Sequence, residues 1–133
     1  MNGSVLKRSS VLYRVAALSN FVVTIPAFIA YDTYVGAFTD RPPDYPFLVW
    51  IWSGMAFLWG VMFWEIASDP LGRYDMIKYS YIEKGVTSIS VIVAYAIGDV
   101  PTRFLLGIVF TDILWIPLFM YAQFRLARLR AEG

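Results

Sequence analysis

The stretch FLLGIVFTDILWIPLFMYAQF, residues 104–124, decides the fold. It carries a single charge, Asp112. A helix needs roughly 20 mostly apolar residues to cross the hydrocarbon core of a bilayer, and this stretch meets that length. Three more charge-free runs lie upstream, at 15–31, 45–64 and 85–98. The run at 45–64 is long enough alone. The first reaches the length if it begins near Val11 and takes in Arg14. The run at 85–98 does so only if it begins near Lys78, which draws Glu83 and Lys84 into the embedded helix. Hydrocarbon offers no partner to open backbone groups, so the spans must be helices. They are also too long and too uniformly apolar for the short alternating segments of barrel strands. The sequence predicts an all-α integral membrane protein: one four-helix transmembrane bundle over residues 1–133, with helices at about 11–34, 46–67, 77–98 and 102–125.

Composition agrees. Hydrophobic residues make up 59 %, charged residues 16 %, and the mean hydropathy is +0.58. A soluble domain has about 45–50 % apolar and about 25 % charged residues. There is no Cys and no His. That excludes disulfides, Cys/His zinc sites, His-ligated haem and Cys- or His-based catalysis. The net charge of +1 argues against nucleic acid as a partner. No P-loop, G-x-S-x-G or H-E-x-x-H motif is present, and no cofactor or metal is implied. No internal repeat of the inverted-repeat transporter type is seen.

The basic residues set the topology. Lys7, Arg8, Arg14, Arg73, Lys78, Lys84, Arg125, Arg128 and Arg130 fall on one side, and only Arg41 and Arg103 on the other. Positive residues stay in the cytoplasm, so both termini are expected there. The first run is read as a retained span and not a cleaved signal peptide. It is longer than an h-region, contains Asn20 and is followed by no A-x-A site. The outer loop from Asp32 to Pro46 carries Pro42, Pro43 and Pro46, which predict an extended, rigid path.

The polar residues inside the membrane are the candidate site. Asp112 sits near the middle of the last span, where a carboxylate costs about 2.5–3.5 kcal/mol to insert and is too short to snorkel. It is either a titrating or ligand-binding group or one half of an interhelical pair. Lys84 shares a stripe with Ser80, Thr87, Ser88, Val91 and Tyr95, which should face the bundle; the alternative is that it snorkels. Glu83, about 100° away around the helix, should serve a different neighbour and is expected to reach the headgroups. Lys84 and Asp112 are natural partners, with Asn20 at a similar depth. Pro26 should kink the outer half of the first helix, and Ser53, Ala56 and Gly60 form a small-residue packing face. Arg14 and Glu65 lie at the cytoplasmic rim, where Glu65 could pair with Arg14, Lys78 or Lys84 in a boundary salt bridge. The intramembrane cluster is therefore Asn20, Glu83, Lys84 and Asp112, with Arg14 and Glu65 at its rim.

Several marks recur in order along the chain: Asn20 then Pro26; Gly60-Val-Met-Phe-Trp64 closing on Ala67-Ser-Asp-Pro70; Lys84-Gly85; and Asp112-Ile-Leu-Trp115. In these the chain resembles a broad group of small four-helix bacterial inner-membrane proteins, loosely DoxX-like and mostly without an assigned function. The resemblance implies a bundle with the lysine and aspartate facing inward, in the bacterial inner membrane. The chain departs from the group in Glu83 and in an unusually aromatic second helix.

Three functions fit these features. The first is a non-enzymatic structural or accessory subunit, packing through its aromatic helices as a homo-oligomer or within a larger membrane complex. The second is a proton-linked carrier or binding protein for a lipophilic small molecule, using Asp112 and Lys84. The third is a redox or quinone-interacting subunit in which those two residues act as acid and base.

Overall fold

The structure, a computed structural model, describes residues 2–132. Among these residues the chain is all helical, with no strand. Helix α1 (Asn2–Thr24) is followed by two short outer helices, α2 (Pro26–Ile29) and α3 (Tyr31–Phe38). Helix α4 (Pro46–Ser68) returns across the molecule. A single turn at Tyr74–Met76 leads into α5 (Ile77–Ala96). The last arm is α6 (Thr102–Ile108), a π-helical turn (Val109–Ile113) and α7 (Trp115–Glu132). Three helical stretches are long and apolar enough to cross a membrane: Gly3–Ile29, Pro46–Ser68 and Thr102–Glu132. Helix α5 is not among them, because Lys78, Glu83 and Lys84 lower its hydropathy.

The first helix differs from its predicted start at residue 11: it begins at Asn2, so its amino-terminal turns carry Lys7 and Arg8 on exposed positions. Pro26 breaks it as its missing N–H requires, and a second break falls at Ala30 (φ −145°, ψ 53°). The chain beyond is not extended from Asp32 as predicted. It stays helical to Phe38, leaving only residues 39–45 for the prolines to straighten. The last helix continues past residue 125 to Glu132.

Local chemistry explains the turns. Pro46 opens α4, where a missing N–H costs nothing. Helix α5 closes on Gly98, at φ +79°, a left-handed position that favours glycine. The Gly98 N–H donates to Tyr95 O (3.0 Å) and the Asp99 N–H to Ala94 O (2.9 Å), which satisfies the helix's last carbonyls. At the other end, Asp69 Oδ1 accepts the Gly72 N–H at 2.9 Å and tightens the turn between α4 and α5.

The interior combines an apolar core with a set of buried polar groups, and the outer surface is apolar. Helix α1 lies along α4, and α5 lies along the arm formed by α6, the π turn and α7. Tyr13, Phe63 and Phe119 are fully buried, one from each of α1, α4 and α7. The Tyr13 and Phe119 rings stack at 4.9 Å and Phe63 lies 5.2 Å from Phe119. Ile66, Ile77 and Leu126 complete this core near the termini. Ser53, Ser80, Ser88, Asn20, Lys84 and Asp112 are also buried, whereas Leu48, Ile51, Met55, Leu58, Ile89 and Phe110 are exposed. Water would penalise that outer surface at about 25 cal/mol per Å² of apolar area; hydrocarbon does not.

Gly60 is buried between α1 and α4: a Cβ there would stand 2.7 Å from the Phe21 ring and 3.1 Å from Asn20 Cβ. Replacement Gly60→Val should therefore lower stability by about 1–3 kcal/mol through overpacking. Thermal unfolding in detergent checks this, with the exposed Gly36→Ala, whose Cβ meets nothing within 4 Å, expected to cause no comparable loss.

Candidate functional site: a buried lysine shared by four helical arms

Lys84 projects from the middle of α5, and its side chain is only 5 % exposed. Its Nζ lies 3.0 Å from Asp112 Oδ1, on the π turn, whose side chain is 6 % exposed. It also donates to Asn20 Oδ1 of α1 at 3.3 Å. Glu83 Oε2 stands 3.8 Å away. On the fourth side, the ring of Phe63 of α4 has its centroid 5.8 Å from Nζ, within the range of cation–π attraction. One ammonium therefore touches groups from α1, α4 and the last arm as well as its own helix.

Each partner is held by a further contact. Asn20 Nδ2 donates to Ala56 O of α4 at 2.8 Å, which turns its carbonyl oxygen toward the lysine. Thr24 Oγ1 donates to Asn20 O at 2.7 Å. Ser88 Oγ donates to Lys84 O at 2.6 Å, and Ser80, one turn earlier, is fully buried. The stripe Ser80–Lys84–Ser88 thus faces inward as the spacing predicts, while Tyr95 at its far end is exposed.

Asp112 owes its aim to the π turn. Leu114 N–H donates to Val109 O at 3.1 Å, an i→i+5 bond that adds a residue to the turn. Pro117 has no N–H for Ile113 O and its ring crowds that carbonyl, so the regular ladder cannot continue there. Thr111 Oγ1 stands 2.6 Å from Asp112 Oδ2 and 3.0 Å from Gly107 O. The sequence reading passes over Thr111 and Phe63 as site residues. Their signals are adjacency to the intramembrane aspartate for Thr111, and a long aromatic-rich helix facing a lysine for Phe63. Pro117, four residues after Ile113, is the signal for the distorted turn.

Two expectations are corrected. Glu83 does not serve a different neighbour: its side chain is 13 % exposed and turns toward Lys84, because the flexible lysine head closes the angular gap between neighbouring positions. The rim does not join the cluster either. Glu65 pairs with Arg73 at 3.3 Å, both about half exposed, and not with Arg14, Lys78 or Lys84. Arg73 lies in the turn immediately after α4, so it reaches Glu65 with no interhelical crossing, and Arg14 is exposed on the outside of α1.

No family model, curated protein or solved structure matches the chain.

A buried ion pair gains little over apolar packing, but removing one member strands the other. Lys84→Ala alone should cost about 3–5 kcal/mol. The double replacement with Asp112→Asn should cost less, since Asp112 no longer leaves a carboxylate unpaired and Glu83 loses the same partner in both variants. Unfolding in detergent of the single and double variants measures the difference; equal losses would mean that Asp112 does not depend on Lys84.

Proposed function

We propose that this chain is a small multi-pass inner-membrane protein of structural or accessory type, non-enzymatic, built as a four-helix transmembrane bundle with both termini in the cytoplasm. The observation that carries the reading is the closure of the Lys84 cluster. Asp112, Asn20 and Glu83 lie 3.0–3.8 Å from one ammonium and all belong to the chain itself. An ammonium whose three polar partners all come from the chain and lie away from solvent acts as a lock between helices. The same inward lysine and aspartate are what the likeness to the DoxX-like group implies.

Helix α5 is the fourth span in this reading. Its 20 residues reach about 30 Å, the thickness of the hydrocarbon core. It lies antiparallel beside the last arm, joined by the short turn at Gly98. Lys84 and Asp112 neutralise one another across that contact, so neither of these two charges is presented to lipid. Four spans place both termini on one side, and nine of the eleven basic residues lie on that side.

The second feature behind an accessory role is α4. Phe63 is buried, but Trp50, Trp52, Phe57 and Trp64 are exposed around the helix. Large, rigid aromatic rings offer contact area at low entropic cost. They suit association with a second copy or another membrane chain.

A periplasm-active phosphatase fused to the carboxy terminus should be inactive and a fluorescent protein there bright, and the same at the amino terminus. Opposite behaviour at the two ends would establish an odd number of spans. Extraction in mild detergent followed by native mass spectrometry should show a homo-oligomer or one companion membrane chain; a lone protomer would remove the accessory reading.

A further inference from the structure

At the end of the molecule opposite the termini, a cavity of about 280 Å³ lies between α1, α3, α4 and α6. Its walls include Val23, Tyr34, Phe38, Trp52 and Phe104, and Thr111 is part of its lining. The α3 wall is fixed from outside. Phe38 meets Phe104 edge-on at 6.0 Å and rests on Gly107, where a Cβ would stand 3.2 Å from its ring. Asp40 and Arg103 pair at 2.8 Å across the same seam. Apolar cavities of about 150 Å³ accommodate benzene. This one has room for two fused rings between aromatic walls.

Thr111 is the residue that the cavity shares with the buried ion pair. Its hydroxyl lies 2.6 Å from Asp112 Oδ2 and 3.0 Å from Gly107 O, both acceptors. The single hydroxyl proton is thereby committed, and what Thr111 can offer a third group is a lone pair. The lining's other threonine differs, because the Thr39 hydroxyl is engaged with the Arg41 backbone.

We propose that this cavity is a binding site for a neutral, flat aromatic alcohol of one or two rings, taken from the membrane phase, whose O–H donates to Thr111 Oγ. The aromatic walls hold the ring. The chain Thr111–Asp112–Lys84 supplies an acceptor backed by a fixed carboxylate, which favours an O–H donor over a molecule of the same shape without one. This site leaves the ion pair closed and does not require the structural role proposed above.

The test uses the full chain in lipid nanodiscs, with empty discs as the partition blank, and equilibrium dialysis of 2-naphthol against 2-methoxynaphthalene. Naphthol should bind saturably, with about tenfold preference, the worth of one good hydrogen bond. Thr111→Val should remove that preference and Thr111→Ser should keep it, so that a loss through misfolding is told apart from a loss of the acceptor. Val23→Phe, which fills the cavity, should abolish saturable binding of both probes. The proposal is overturned by uptake no greater than in empty discs, as when a lipid chain fills the cavity, by equal affinity for the two probes, or by naphthol binding that survives Val23→Phe.

Discussion

A lysine ammonium in the middle of a membrane protein has nowhere to go but to a partner. Lys84 is placed too deep on α5 to be left alone, and Asp112 is too short to escape the last arm. Their 3.0 Å contact ties two antiparallel helices together at one register. Asn20 and Phe63 bring α1 and α4 to the same point. An apolar interface in hydrocarbon tolerates sliding, because lipid tails are as apolar as the side chains they replace. A buried charge does not, because a shift of one turn would leave it unpaired.

The remaining contacts arrange themselves around that point. On the side of the termini, the Tyr13–Phe63–Phe119 cluster fills the space beneath the lysine. On the opposite side, Gly60 lets α1 and α4 close up, and the helix break at Pro26 and Ala30 lets α3 fold over α6. The π turn at Val109–Ile113 belongs to the same logic. A regular helix through Pro117 would clash at Ile113 O, and the extra residue in the turn relieves that clash while setting the direction of Asp112. The distortion and the aim of the charged residue therefore have one cause in the sequence, a proline five positions beyond the aspartate.

The helical, membrane-spanning character was legible in the charge-free runs, because run length and backbone hydrogen bonding leave a bilayer few solutions. The inward stripe of α5 was legible too, since Ser80, Lys84 and Ser88 fall one turn apart on a regular helix. The end of the first span was misjudged, because Asp32 and the prolines beyond it read as loop although Tyr31–Phe38 packs against α6 as helix. The meeting of Glu83 and Lys84 is not legible in the spacing, because helical angles describe where a side chain starts, not where a long neighbour such as Lys84 ends.

The sequence by itself determined the all-helical class, the presence of helices apolar enough for a membrane and the few polar groups that interrupt them. These follow from composition along the chain, which needs no knowledge of neighbours. Only the tertiary structure decided who meets whom: Asn20 and Lys84 are 64 positions apart, and Glu65 turned to Arg73 and not to the cluster. Those choices depend on the rotation of each helix about its axis. That rotation is fixed by packing at places such as Gly60 and Phe63, where the deciding quantity is the space between helices.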